Sequence, residues 1–172
     1  MKDLATLAMD HASAVSDFVG AARRFPGEAW TQALAPGKWS PAEITSHVTE
    51  AYEVLRRELK GGTGMQLLGS PLQRWVLRRT MLPAILRGRP FPAAARAPRE
   101  IRPRGVLADP TSALAALEVT AGAFAQELGA RAADRRLRLS HAYFGQMSAW
   151  QSLQLAAVHT RHHARQLEAA AG

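Results

Sequence analysis

The sequence predicts an all-α four-helix bundle with a long crossover connection and one short extra helix. Four long segments carry apolar residues at intervals of three and four, which is the period of one helix face. Capping residues precede most of these segments, followed by proline or, three positions later, by Glu or Gln. No segment alternates convincingly between apolar and polar residues as a strand does. The 172 residues suffice for one core, so we expect 1–172 to form a single domain.

The first helix is predicted over residues 3–24, where the apolar side chains share one face, and the Pro26–Gly27 pair ends it. The second helix is predicted over residues 41–59. Ser40 can cap its first turn, and Glu43 stands three residues later with a proline between them. This arrangement is a capping box, which satisfies two otherwise unpaired N–H groups and marks where a helix begins.

Residues 63–109 are less regular. The segment "SPLQRWVLRRTMLPAILRG" predicts a shorter helix interrupted at Pro83, because proline lacks the N–H group that a helix interior uses. The segment "RPFPAAARAPREIRPRG" holds four prolines and five arginines, which predicts an extended connection. A connection of this length indicates a crossover between bundle helices that no short turn joins.

The remaining two helices follow this connection. Asp109 caps the first of them and a proline occupies its first position. Residues 135–147, "RRLRLSHAYFGQM", are expected to form a loop. Ser148 caps the last helix, with a glutamine three positions later, and the helix is predicted to reach about Ala169.

Composition limits the chemistry. The chain has no cysteine, which excludes disulfides, thiolate zinc sites and a cysteine nucleophile, and leaves histidine and carboxylate as metal ligands. Charged residues interrupt the N-terminal segment, so it does not read as a secretory signal. No apolar run approaches the roughly 20 residues that a membrane span needs. We therefore expect a cytoplasmic protein.

The net charge of +8 raises the alternative of binding to nucleic acid or to an anionic membrane surface. Nine arginines lie between Arg74 and Arg104, where Glu100 is the only acidic residue. However, 19 of the 22 basic residues are arginine in an alanine-rich chain, which is typical of GC-rich coding, and the chain has no recognised nucleic-acid motif. Nucleic-acid binding is therefore disfavoured. The Arg-rich segment 74–104 could instead attract an anionic substrate.

Three histidines form a candidate metal site. His159 and His163 are four residues apart on the last helix, so they project from one face and can share a cation. His47 lies on the core-facing side of the second helix, where a buried imidazole needs partners for both ring nitrogens. The alternative is a solvated helix end and one core histidine. Three imidazoles would leave a coordination position open, as in catalytic sites.

Other polar residues lie near these histidines in the sequence. Gln166 is placed to orient a ligand or a substrate, and His162 lies beside the ligand pair. His141 precedes the last helix and could approach the mouth of the site. Glu43 and Glu50 flank the second-helix histidine at helical spacing, so either could accept the free N–H of a ligating ring or transfer a proton.

Two segments together resemble a known family. "KWSPAEITSHVTEAYEVL" is similar to the second-helix motif of the DinB-like (YfiT-like) superfamily, and "HAYFGQMSAWQSLQLAAVHTRHHARQL" is similar to its closing motif. The resemblance implies a four-helix bundle that binds a divalent metal, zinc or nickel, through His47, His159 and His163. Homodimers are frequent in that family, so a homodimer is possible here, and we expect a bacterial protein. Thr160 and Arg165 depart from the residues that the family often has there.

The resemblance implies a metal-dependent transferase or isomerase that activates a low-molecular-weight thiol, or a metal-dependent hydrolase. A bound divalent cation lowers the pKa of water or of a thiol, so that the nucleophile ionises near neutral pH. We favour thiol-dependent transfer to a small-molecule substrate. For hydrolysis, Glu43 or Glu50 would be the general base. A second hypothesis is a non-catalytic bundle that buffers or senses metal.

Overall fold

The computed structural model describes residues 3–92, 96–131 and 133–172. It confirms the predicted all-α bundle. The described residues form five α-helices, two short 3₁₀ turns and one hairpin, in chain order: α1 (Leu4–Ala22), a turn at Gly27–Trp30, α2 (Pro41–Leu59), α3 (Pro71–Leu86), a turn at Arg99–Ile101, α4 (Pro110–Ala130), β1 (Arg138–His141), β2 (Gly145–Ser148) and α5 (Ala149–Ala171).

The predicted capping boxes form. Ser40 Oγ accepts a hydrogen bond from the Glu43 backbone N–H at 3.2 Å, while a Glu43 carboxylate oxygen accepts from the Ser40 N–H at 2.8 Å. Ser148 and Gln151 make the same reciprocal pair at the start of α5. A third box begins α3 at Ser70. Each box satisfies two N–H groups that a helix end leaves unpaired, which fixes where these helices begin.

Helices α1 and α5 run parallel and pack along their length. The Arg161 guanidinium reaches the Asp10 carboxylate at 2.7 Å near the middle of α5. The Arg24 guanidinium donates to the Ala171 carbonyl at 3.2 Å, where both helices end. Residues that come later in α1 contact residues that come later in α5, so the two helices run in the same direction.

Helices α2 and α4 are also parallel. The Arg56 guanidinium bonds the Glu127 carboxylate at 2.9 Å, and the Arg131 guanidinium donates to the Leu59 carbonyl at 2.6 Å, where both helices end. Two parallel neighbours that follow one another in a bundle require a connection that returns along its length. The segment between α2 and α4, which contains α3, is that crossover. Among the described residues, none of the helices is long and apolar enough to cross a bilayer.

Two local predictions were wrong. Helix α3 continues through Pro83 to Leu86. Leu82 and Ile85 on either side of the proline are buried, at 1% and 2% exposure, so packing compensates for the missing hydrogen bond. The expected loop at 135–147 contains the antiparallel hairpin β1–β2, in which Leu139 pairs with Met147. Each strand has four residues, too few for an alternating pattern to stand out.

His11 is a buried polar residue away from the predicted site. It is 2% exposed and packs edge-on against the Tyr52 ring, with centroids 5.4 Å apart. In the described part of the chain its Nε2 atom has no hydrogen-bond partner. Burial, and after it the positive charge of Arg161, lowers the pKa of His11 to about 4. The ring is therefore neutral at pH 7.

We predict that His11 makes the fold sensitive to acid. Below about pH 6.5 the unfolded chain binds a proton at this residue, whereas the folded chain binds one only near pH 4. The free energy of unfolding therefore falls as the pH drops through this window, by about 2–3 kcal/mol at pH 4.5 from this group alone. In His11→Phe, urea unfolding at pH 7 and pH 4.5 with a chelator present should show a correspondingly smaller loss. An equal loss in both proteins would contradict this origin.

Candidate metal centre

The structure brings three imidazoles together inside the bundle. His47 lies in the second turn of α2, and His159 and His163 lie one turn apart on α5. The His159 Nε2 atom is 3.1 Å from His47 Nε2 and 3.2 Å from His163 Nε2. One ligand atom from each ring lies within 4.8 Å of the others. The spacing in sequence and the fold therefore select the same group.

The far side of two of these rings is fixed by an oxygen atom. His47 Nδ1 donates to the Ile101 carbonyl at 2.5 Å, and His163 Nδ1 donates to the Gln166 side-chain oxygen at 2.7 Å. Because both partners are acceptors, each ring carries its proton on Nδ1. The Nε2 atoms of these two rings therefore present lone pairs to the centre of the group.

The donor set fits a divalent cation. A proton on His159 Nε2 can bond the lone pair of either His47 or His163, but not both. A cation can bind one nitrogen of each of the three rings at once. Two nitrogens bound to a tetrahedral zinc ion at about 2.0–2.1 Å lie about 3.4 Å apart. The observed separations of 3.1 and 3.2 Å are close to that value. Imidazole nitrogen suits zinc and nickel alike.

Burial keeps these rings in the neutral form that binds metal. It lowers the pKa of His47 to about 4 and the pKa of His159 and His163 well below the usual value. The neighbouring imidazoles lower the pKa of His159 and His163 further, because a second positive charge so close is unfavourable. No proton therefore competes for the lone pairs at neutral pH.

A pocket with a cavity volume of about 50 Å³, partly open to solvent, adjoins His159. Its walls come from α2, α5, the hairpin and the crossover. None of the side chains that line it is charged, and most are apolar: Ala51, Tyr52, Leu55, Met65, Phe91, Ile101, His141, Met147, Ser152, Leu155, Ala156 and His159. Of the other candidate residues, His141 is the one that lines this pocket beside His159.

Glu43 and Glu50 do not contact the N–H group of His47. Glu43 caps α2 through its hydrogen bond with the Ser40 backbone. Glu50 is half-buried, and no hydrogen bond or ion pair of its side chain is found among the described residues. The Ile101 carbonyl, and neither glutamate, is the partner of His47 Nδ1, and a role of Glu43 or Glu50 in proton transfer stays a prediction.

Gln166 and His162 lie behind His163. The Gln166 amide nitrogen donates to His162 Nε2 at 3.2 Å, while its oxygen accepts from His163 Nδ1. His162 also packs against Phe91, with ring centroids 5.2 Å apart. Gln166 thus contacts the candidate ligand His163 on the side opposite the centre of the group.

Sequence reasoning missed three contributors. The Ile101 carbonyl is a main-chain group, so no residue type signals it. Phe91 lies between two prolines of the crossover and covers His159, with ring centroids 6.0 Å apart. Trp39 packs its ring 4.9 Å from the His47 ring. Phe91 and Trp39 stand out as isolated apolar residues in polar or Pro-rich sequence. The sequence does not indicate which side chains they pack against.

Among the described residues of the Arg-rich segment 74–104, Phe91 and Ile101 line the pocket, but none of its arginines does. Several of its arginines instead donate side-chain hydrogen bonds to backbone carbonyls of nearby connections. These pairs are Arg74 with Leu68 and Gly69, Arg78 with Gln146, Arg102 with Ala97, and Arg104 with Arg99. These contacts support bracing of the crossover more directly than attraction of an anion to the site.

Comparison with known proteins assigns the family. The family model of the DinB superfamily matches residues 12–167, a span that includes all three clustered histidines and both flanking motifs. No curated protein and no solved structure gives a significant match to the chain. The extent of the family match, together with the helical bundle, establishes that this chain belongs to the DinB superfamily.

Proposed function

We propose that this chain is a metal-dependent enzyme that acts on a small-molecule substrate with the help of a small thiol. The enzyme either transfers the thiol to the substrate or uses the thiol to rearrange it. The observation that carries the proposal is the group of three imidazoles next to an apolar pocket. A divalent cation held by His47, His159 and His163, zinc or nickel, would lower the pKa of a thiol bound beside it. The chain has no cysteine, so the thiol comes from a substrate.

The surroundings support a catalytic site over a storage site. Three protein ligands leave a coordination position for a reactant, whereas structural zinc sites are closed by a fourth ligand. The apolar pocket lies on the same side as His159 and limits the access of water. A hydrolase that uses water, with Glu43 or Glu50 as general base, is the alternative within the same site. We also propose a cytoplasmic, homodimeric enzyme, as expected from the sequence and the family.

The residues behind the ligands hold them in position. The Ile101 carbonyl fixes the His47 ring through Nδ1 at 2.5 Å, and Gln166 does the same for His163 at 2.7 Å. Such partners select the tautomer that binds metal and restrict rotation of the ring. His159 has the Phe91 ring against it instead. The lone pairs of His47 and His163 are thereby arranged in the folded chain before any ligand arrives.

The first test is metal content. Elemental mass spectrometry of the untagged protein should find about one zinc, nickel or similar ion per chain, and His47→Ala and His159→Ala should lose it while the helical signal in circular dichroism remains. His162→Ala is the matched control, because His162 lies on the same helix but outside the group. A parent protein that stays metal-free after reloading and dialysis would overturn the proposal.

Gln166 should strengthen metal binding through His163. Gln166→Leu removes the acceptor of the Nδ1 proton, and we expect roughly tenfold weaker zinc binding in competition with a chelator. Gln166→Glu keeps an acceptor oxygen and should retain the affinity. Because Gln166 is exposed, neither change should alter thermal stability in the presence of a chelator. Equal zinc affinity of the Leu variant and the parent would rule out this contribution.

Thiol activation can be measured with uncharged reagents. With zinc bound, the parent should alkylate 2-mercaptoethanol with iodoacetamide at pH 7 at least about tenfold faster than His159→Ala, because more of the thiol is ionised. Hydrolysis of 4-nitrophenyl acetate without thiol, lost in Glu43→Gln or Glu50→Gln, would favour the hydrolase instead. Absence of both activities in a zinc-loaded protein would favour the non-catalytic bundle.

A further inference from the structure

His141 lies at the end of β1 with its ring stacked on Phe144, the centroids 4.6 Å apart and the planes 18° apart. Its Nδ1 atom accepts hydrogen bonds from the backbone N–H groups of Tyr143 at 3.3 Å and Phe144 at 3.4 Å. An atom that accepts from N–H groups carries no proton. In the neutral ring the proton is therefore on Nε2.

The Nε2–H group of His141 is a donor with no acceptor among the described residues. The ring lines the pocket that adjoins His159. The ring is half-buried and its Nε2 atom is not among the fully buried unpartnered atoms of the described residues, so water can accept from it until a bound molecule supplies an acceptor instead. The hairpin thus holds a fixed, neutral donor at the pocket wall.

The other polar groups of the wall already have partners. The Tyr52 hydroxyl pairs with Thr160 Oγ1 at 2.7 Å, and Ser152 Oγ donates to the Ser148 carbonyl at 3.0 Å. The remaining lining residues, apart from the candidate ligand His159, are apolar. Without a cation at His159, a carboxylate or an ammonium placed against these side chains would lose hydration without gaining an opposite charge. An uncharged group would not suffer this loss.

We propose that this pocket binds an uncharged, mainly apolar substrate or substrate portion whose oxygen accepts a hydrogen bond from His141 Nε2–H. We infer an uncharged substrate because the side chains of the pocket wall are uncharged. We infer His141 as the donor because its Nε2–H group has no acceptor among the described residues. This inference rests on the proposed function in one respect: the bound molecule is the substrate of the metal-dependent reaction only if that reaction takes place at the histidine group beside the pocket. The binding step itself uses the pocket alone and can be measured with or without metal.

The test uses three probes of one shape: benzamide, benzoate and benzylammonium. Met65 and Met147 line the pocket, so their ¹³C-labelled methyl groups report binding by NMR, while Met9 on α1, 67% exposed, is an internal reference. In the full-length protein stripped of metal by a chelator, benzamide should shift Met65 and Met147 with roughly tenfold higher affinity than either charged probe. Benzoate or benzylammonium binding as tightly would overturn the uncharged class.

The role of His141 is tested with His141→Phe, which keeps an aromatic ring against Phe144 but lacks the donor. Benzamide affinity should fall roughly three- to tenfold, while the affinity for benzene, which has no acceptor oxygen, should stay the same. If this variant loses its helical signal, His141→Leu replaces it. Unchanged benzamide affinity in a folded variant would show that His141 is not the donor.

Repeating the titration after zinc loading separates this inference from the proposed function. Benzamide bound at Met65 and Met147 in a protein that takes up no zinc would support the pocket inference and contradict the metal-dependent function. A protein that holds zinc but shows no shift at either methionine with any probe would overturn the pocket inference alone.

Discussion

The convergence of three imidazole nitrogens inside the bundle constrains the rest of the structure. Two of the rings have their far nitrogens bonded to oxygen acceptors, so their lone pairs face His159 at 3.1 and 3.2 Å. A proton on His159 Nε2 can bond only one of these lone pairs, so without a cation between the rings the other lone pair has no donor in this group. The arrangement therefore depends on contacts that hold α2 against α5 and the crossover against α2. The Tyr52–Thr160 hydrogen bond and the Ile101 carbonyl are such contacts.

The chain direction explains how the site and the pocket come to share a wall. Helices α2 and α4 are parallel, so the chain has to return along the bundle between them. That return passes over the start of α2, where Ser46 bonds the backbone of Arg104 at 2.8 Å, and it brings Ile101 and Phe91 to the histidines. The hairpin before α5 closes the other side with His141. The crossover and the hairpin thus supply the part of the pocket wall that α2 and α5 do not.

The predictable features are those that depend on local chemistry. The capping boxes at Ser40 and Ser148 and the i, i+4 spacing of His159 and His163 are determined within a few residues, so the helix starts and one face of the site could be predicted. The meeting of His47 with them followed from the burial expected for its helix face. The partner of His47 could not be predicted, because a carbonyl of the crossover carries no residue signature. The hairpin β1–β2 was not predicted for a similar reason, because the pairing of its strands depends on tertiary contacts.

The separation of the histidines along the chain has a consequence for the order of events during synthesis. His47 and His159 are 112 residues apart, and α5 packs along α1, the first helix of the described chain. A ribosome that adds about 5–20 residues per second exposes the imidazole of α2 for several seconds before its partners on α5 have been made. Until then α1 and α2 lack the helix that buries their apolar faces. A cation that binds this group would therefore be acquired late, when the bundle closes, and would not start its folding.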